Sequence, residues 1–336
     1  MSAEGTDEGA NRQPLNPTWT IRATLEWTQG HLESKGVDNP RLTAQRLVGA
    51  AAGCTRLELY TNFERPLSRE QLATLRDGIK RRVAGEPLQY ILGKAPFRRL
   101  ELVARQHVLI PRPETEVLVD VVISALGDAG VLAGAHILDL GTGTGCIALS
   151  LLQECPEVKV VATDIDPQAV VLARENAEAL GYCVAGIDGA DDSADGAGNS
   201  ADAADDSADR AGRLMILEDD LASSLIANPL MLRSFDAIVS NPPYIPTDEL
   251  ANLPIEIAEY ESLGALDGGA EGLDVFCRIV EQAKLLLKPY GLLACELYET
   301  KLDDAREHCL REGLVDVLIH RDLADRPRII TAHTRS

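Results

Sequence analysis

The stretch 135-AHILDLGTGTGCIALSLLQE-154 decides the fold. Ala135–Leu140 is an apolar run of strand length, Cys146–Gln153 continues as a helical segment, and between them lies Gly141-Thr142-Gly143-Thr144-Gly145. A strand, a glycine loop and a helix in that order open a doubly wound parallel sheet. Glycines let the backbone approach a ligand closely, and the helix N-terminus adds free N–H donors. A dinucleotide site asks for G-x-G-x-x-G. Here the third glycine comes one residue early, at Gly145, and Cys146 holds the expected place, which favours a ligand without a pyrophosphate. The next strand, Val158–Thr163, runs into Asp164, about 20 residues past the loop, where a carboxylate can accept both hydroxyls of a ribose. Asp166 then caps a helix with Pro167 at its first position, running to about Leu180.

Working toward the C-terminus, Leu214–Leu217, Phe235–Ser240 and Leu292–Glu296 supply further strands. Leu314–His320 and Arg328–His333, around Asp325-Arg326-Pro327, read as an antiparallel pair closing the sheet edge. A second constellation, Ser240-Asn241-Pro242-Pro243-Tyr244, follows the strand Phe235–Val239 directly. Consecutive prolines are ordinary punctuation after a strand. At a strand's carboxyl end, facing the glycine loop, they stand at the usual ligand crevice.

Toward the N-terminus the pattern changes. Residues 1–16 are polar, small and Pro-interrupted, and are expected to form a disordered tail. Residues 17–87 read as a small helical domain, with Leu25, Leu32, Leu42, Leu47, Leu57, Leu72, Leu75, Ile79 and Val83 recurring at helical spacing. Ser68 and Gln71 predict a capping box, and Gly85-Glu86-Pro87 a helix stop. Residues 88–113 read as a β-hairpin linker, with one strand around Phe97–Val103 and a second at Val108-Leu109-Ile110. Pro111-Arg112-Pro113-Glu114-Thr115-Glu116 then leads into a helical stripe of Val117, Leu118, Val121, Val122 and Leu126. Residues 114–336 form the α/β domain. Inside it, 186–212 carries eight Asp and one Arg, a third of the net charge, and is expected to be a disordered surface insert.

Composition limits the partners. Of 336 residues 45% are hydrophobic and 25% charged, which excludes collagen-like and wholly disordered chains. No apolar run nears the ~20 residues of a membrane span, and Arg22, Glu26 and Glu33 interrupt the first apolar stretch, which lacks a charged n-region, so no signal peptide is expected. The seven cysteines are scattered without a C-x-x-C, so reduced thiols in a cytoplasmic protein, and no metal, are expected. A net charge of −21 opposes nucleic-acid binding, which draws its affinity from Lys and Arg. The one basic run, Lys80-Arg81-Arg82, reads as a solvated helix face.

The glycine loop, Asp164 and Asn241-Pro242-Pro243-Tyr244 together resemble amino-group methyltransferases that use S-adenosylmethionine. Gly85-Glu86-Pro87-Leu88-Gln89-Tyr90-Ile91-Leu92-Gly93, Ile110-Pro111-Arg112-Pro113-Glu114-Thr115-Glu116 and Ser240–Ile245 resemble the HemK/PrmC family, the release-factor glutamine methyltransferases. The likeness covers about residues 19–333 apart from the insert. It implies a Rossmann-like class I methyltransferase sheet, a helical substrate-recognition domain, and methylation of the glutamine in the Gly-Gly-Gln motif of peptide chain release factors. Gly141, Thr142, Gly143, Thr144, Gly145 and Asp164 would hold S-adenosylmethionine. Leu221 stands where family members often carry an aromatic residue near the adenine, so that contact would be apolar.

Asn241, Pro242, Pro243 and Tyr244 would hold the substrate amide. The Asn241 oxygen and Pro242 carbonyl would accept its two N–H bonds, with Tyr244 on its face. No strong base is needed, in keeping with His107, His308, His320 and His333 lying outside the motifs. Glu116 and Glu296 are the remaining carboxylates that could line the pocket. After Glu296, Leu297-Tyr298-Glu299-Thr300 replaces an expected glycine-containing segment. N-P-P-Y alone is shared with DNA adenine methyltransferases, the competing reading, and a catalytically silent binding module is a third. The Pro-Arg-Pro-Glu-Thr-Glu segment, the helical domain and the acidic charge favour the protein substrate.

Overall fold

The computed structural model describes residues 19–185 and 212–336. The tail 1–16, and the Asp-rich 186–212 apart from Gly212, lie outside the described residues. Contacts divide the chain into two compact units, 1–92 and 93–336.

The first unit is helical: α1 (Ile21–Ser34), α2 (Pro40–Ala52), α3 (Arg56–Thr61), α4 (Arg69–Val83) and α5 (Leu88–Leu92). The capping box forms as read, with Gln71 N donating to Ser68 Oγ at 3.2 Å and Ser68 N to Gln71 Oε1 at 2.9 Å. Ile21, Leu32, Leu47, Val48, Leu59, Leu75 and Ile79 build its core. Leu42 and Leu57 do not join them and are 42% and 74% exposed. Helical spacing gives a stripe; which face it covers depends on the neighbouring helix. The basic run is also not simply a solvated face. Arg81 grips the Glu86 carboxylate at 2.6 and 2.7 Å, and buried Arg82 donates to the Glu86 carbonyl at 3.0 Å, so both tie down the turn that ends α4.

The second unit opens with an antiparallel hairpin, β1 (Lys94–Phe97) and β2 (Leu100–Val103), turning at Arg98 with φ 50°. The reading placed one of its strands at Val108–Ile110, and that segment is not a strand. Phe97 pairs with Leu100 across a two-residue turn, so the partner strand lies before the turn and not after it. Pro96 is tolerated because this is a separate two-stranded sheet with no third ladder to feed. Val108 instead packs on Ala169 and Leu172.

The main sheet is built from β3 (His136–Leu140), β4 (Lys159–Asp164), β5 (Val184–Ala185), β6 (Leu214–Glu218), β7 (Phe235–Ser240), β8 (Leu287–Glu296), β9 (Val315–Arg321) and β10 (Pro327–His333). Its order is β5-β6-β4-β3-β7-β8-β10-β9, and only the β10 pairings are antiparallel. The α/β sheet and its antiparallel C-terminal pair are therefore as read. One face is covered by α6 (Pro113–Asp128), α7 (Cys146–Glu154) and α8 (Pro167–Ala179), burying Leu118, Val122, Ile137 and Leu149. The short α9 (Ser223–Ala227) and α10 (Ile255–Ala258) lie in connections, while α11 (Asp274–Leu286) and α12 (Leu302–Arg311) cover the other face with Phe276, Ile279, Val280 and Leu302. The order of the chain reverses between β3 and β7, which sets the ligand crevice at their carboxyl ends. Among the described residues no helix is long and apolar enough to cross a membrane.

Candidate active site

β3 and β7 lie side by side with Leu140 opposite Ser240, and Ser240 Oγ donates to the Leu140 carbonyl at 2.7 Å. The glycine loop leaves one strand end and Asn241-Pro242-Pro243-Tyr244 leaves the other.

Carboxylates hold the glycine loop from behind. Asp139 is fully buried, and its Oδ2 accepts from Thr142 Oγ1 at 2.7 Å and Ala148 N at 3.2 Å. Its Oδ1 has no partner among the described residues. Burial outweighs the two hydrogen bonds and pushes the carboxyl up to about 7. Asp164 Oδ2 accepts from Gly143 N at 2.8 Å, and its Oδ1 from Asp166 N at 2.9 Å. Burial raises this carboxyl too, with the same amides opposing. Gly141 and Gly143 have φ of 70° and 58°, and a Cβ on either would meet nothing within 4 Å. The backbone conformation asks for glycine there, and the space before the loop is open. Gly145 differs: its Cβ would stand 3.1 Å from Leu149 Cδ1 and 3.4 Å from Ala173 Cβ, so it lets α7 and α8 close together.

The other strand end is held by side chains from distant elements. Asn241 Nδ2 donates to Thr115 Oγ1 at 3.0 Å, and Thr115 Oγ1 donates to Glu296 Oε2 at 2.7 Å. Tyr244 Oη donates to Glu296 Oε1 at 3.4 Å. Thr115 and Glu296 are both buried, and burial pushes Glu296 up to about 7 and raises the Tyr244 phenol. Behind Tyr244 runs a glycine turn. A Cβ on Gly268 would lie 2.7 Å from Tyr244 Cα, and one on Gly272 would lie 2.4 Å from the Tyr244 carbonyl oxygen.

One cleft of ≈ 370 Å³ joins these parts. Gly141, Thr142, Gly143, Thr144, Asp164, Leu221, Asn241 and Pro243 line it. Gly145, Pro242 and Tyr244 stand outside its lining: Gly145 is the N-cap of α7, Pro242 is buried, and Tyr244 packs into the core beside Glu296. Glu116 turns away altogether, accepting from Arg98 N at 3.0 Å in the hairpin turn. Glu296 lies behind the lining and touches it through Thr115.

The sequence reading missed several parts. His107 lines the cleft although it lies outside every motif, and its backbone N–H donates to the Tyr260 carbonyl at 3.0 Å. Ile165, 68% exposed, lines the cleft as Leu221 does. Arg112 reaches both oxygens of buried Glu261 at 2.7 Å, holding the loop after Tyr244 against the entrance to α6. Buried Asn176 accepts from Val103 N at 2.7 Å and donates to the Thr144 carbonyl at 2.9 Å. Asp139 was in plain view at the head of the motif without a role. Arg112 lay in the quoted Pro-Arg-Pro-Glu-Thr-Glu segment without a role, and His107, Ile165 and Asn176 carried no local signal.

Residues 23–93 match the PrmC N-terminal domain, and residues 115–202 the methyltransferase small domain. A release factor glutamine methyltransferase of Geobacter sulfurreducens is 39% identical over 304 residues, covering 90% of this chain and 93% of its own. One from Moorella thermoacetica is 37% identical over 278 residues, covering 83% and 85%. Among solved structures, the hMettl16 catalytic domain in complex with MAT2A 3'UTR hairpin 6 aligns with a TM-score of 0.50 at 16% identity, covering 77% of this chain and 82% of that one. This last likeness is one of fold.

Proposed function

The chain belongs to the release factor glutamine methyltransferases, and from that premise we propose that it methylates the side-chain amide nitrogen of the glutamine in the Gly-Gly-Gln motif of peptide chain release factors. The observation that carries this reading is that Asn241 and the glycine loop line one cleft, on the ends of adjacent parallel strands. The helical unit matched by the PrmC N-terminal domain is the part we assign to recognising the release factor.

The residues present fit S-adenosylmethionine. The loop is open in front of Gly141 and Gly143, Asp164 faces the same cleft, and Asp139 Oδ1 is an unpartnered acceptor beneath it. Gly141–Thr144 would hold the amino-acid part, Asp164 the ribose, and Leu221 with Ile165 the adenine through apolar contact. When bound, S-adenosylmethionine supplies an electrophilic methyl group on a positively charged sulfur.

The chain's own residues have to make an amide react. Its nitrogen is a poor nucleophile because the lone pair is delocalised. The Asn241 Oδ1 and the Pro242 carbonyl accept its two N–H bonds and aim the nitrogen, and Tyr244 holds their turn from behind through Glu296. Such positioning contributes up to roughly 7–11 kcal/mol in ideal cases. The methylated amide, having lost resonance, sheds its surplus proton without a strong base. Purified protein given labelled S-adenosylmethionine should label folded release factor on the Gly-Gly-Gln peptide, and should label nothing when that glutamine is replaced. Labelling of DNA adenine with none on release factor would overturn the assignment.

A further inference from the structure

A carboxamide presents an oxygen and a nitrogen of nearly the same shape, so its neighbours decide which end faces a ligand. Behind Asn241 those neighbours form a chain whose direction follows from one charge. An ionised carboxylate only accepts hydrogen bonds. Thr115 therefore commits its single hydroxyl proton to Glu296 Oε2, 2.7 Å away, and can offer Asn241 only a lone pair. Asn241 answers with Nδ2 at 3.0 Å, and its Oδ1 remains for the cleft. Tyr244 gives its own proton to the other oxygen of Glu296 at 3.4 Å, so Glu296 anchors both ends of the motif. Were Glu296 protonated, the acid could donate to Thr115. Thr115 could then turn its proton to Asn241, and the amide would show its NH₂ to the cleft.

We propose that Glu296 is a positioning residue that, through Thr115, fixes the direction of the hydrogen-bond chain to Asn241 and so makes the site select an N–H donor, the glutamine amide, over the glutamate carboxylate of the same shape. The proposal rests on the reading that Asn241 Oδ1 accepts a substrate N–H.

Glu296 is faced by Glu114 and Thr115 from the first turn of α6, by Cys146 at the start of α7, by Tyr244 after β7 and by Arg328 from β10. Burial, and after it Glu114, favour its proton; Thr115, Arg328 and Tyr244 oppose them. Arg328 divides its charge with Glu299 and Asp322, 3.7 and 3.6 Å away. Because the ionised form is the competent one, transfer should fall on the acid side as Glu296 gains its proton near neutrality.

The test is kcat and KM on release factor from about pH 5.5 to about 8.5 for a set of variants. Glu296→Gln should lower kcat roughly tenfold or more at the alkaline end and flatten the acid limb. Thr115→Val should do the same, Thr115→Ser should restore both rate and limb, and Thr115→Val combined with Glu296→Gln should be no worse than either alone. Apart from turnover, wild type should bind a Gly-Gly-Gln peptide in preference to its Gly-Gly-Glu counterpart, and Thr115→Val should lose that preference. Should Glu296→Gln fail to fold, the two threonine variants carry the test. A Thr115→Val enzyme with wild-type kcat, acid limb and peptide preference, or additive losses in the double variant, would overturn the proposal. Full activity of Asn241→Ala would instead remove the reading beneath it.

Discussion

Asp139 braces Thr142 and Ala148 from three and nine residues away, and Asp164 braces Gly143 from 21 residues away. On the opposite wall of the same cleft, Asn241 depends on Thr115 across 126 residues, and Thr115 on Glu296 across 181. The cofactor wall is shaped by neighbours along the chain and by backbone handedness. The acceptor wall exists only once β7, β8 and α6 have come together. The contrast implies that binding and transfer can be broken separately, by changes on different walls.

The largest effect is expected from the acceptor wall. Asn241→Ala should lower methyl transfer by at least ~10²-fold, as for a group that positions a nucleophile, while cofactor affinity stays within a few-fold. Single-turnover rates beside calorimetric binding separate the two. The cofactor wall should answer in the opposite way. Asp164→Ala removes a charge-assisted acceptor contributing about 1.5–3 kcal/mol, so affinity for S-adenosylmethionine should drop by one to two orders of magnitude. Unchanged affinity by calorimetry would remove Asp164 from the site.

A smaller effect tests the support beneath the loop. Burial pushes the Asp139 carboxyl up to about 7, from an ordinary 3.8. The folded state thus holds this proton more tightly than the unfolded state. Its contribution to stability is fully present below the unfolded value and is lost as pH rises through the folded one, a window from about 4 to about 7. Asp139→Asn removes this linkage, so its melting temperature relative to wild type should improve as pH rises from about 4 to about 7 and level off above. A difference independent of pH would show that Asp139 does not carry it.

The smallest effect belongs to neither wall. Val184 and Leu214 pair in parallel on either side of the Asp-rich stretch, so whatever joins them has to run back along the sheet. Replacing 186–211 with a Gly/Ser linker of about a dozen residues should leave melting temperature and turnover nearly unchanged, since shortening a flexible connection changes closure entropy little. A large loss of turnover with cofactor binding retained would show that the acidic stretch docks the substrate.

The sheet was legible because its strands are short apolar runs between glycine and proline punctuation, and the capping box at Ser68 because all its parts lie within four residues. The hairpin was misplaced because Val108-Leu109-Ile110 is as apolar as a strand, and only its packing on Ala169 and Leu172 shows that it is not one. The cofactor wall could be read for the same reason the sheet could: Gly141, Gly143 and Asp164 sit at fixed offsets from strand ends. On the opposite wall Asn241, the residue proposed to hold the amide, was visible, but the residues hydrogen-bonded behind it were not. Thr115 lay in a quoted segment as one letter among six, Glu296 had only its charge to recommend it, and Gly268 and Gly272 gave no sign of packing on Tyr244. These are consequences of register and crossing, which no window along the chain contains.

The separability of the two walls is tested most directly by measuring methyl transfer to release factor for Asp164→Ala and Asn241→Ala at saturating S-adenosylmethionine. Asp164→Ala should recover to within a few-fold of the wild-type kcat once the cofactor is forced on. Asn241→Ala should remain at least ~10²-fold slow however much cofactor is added. Recovery of both, or of neither, would contradict the division of the cleft into a binding wall and a transfer wall.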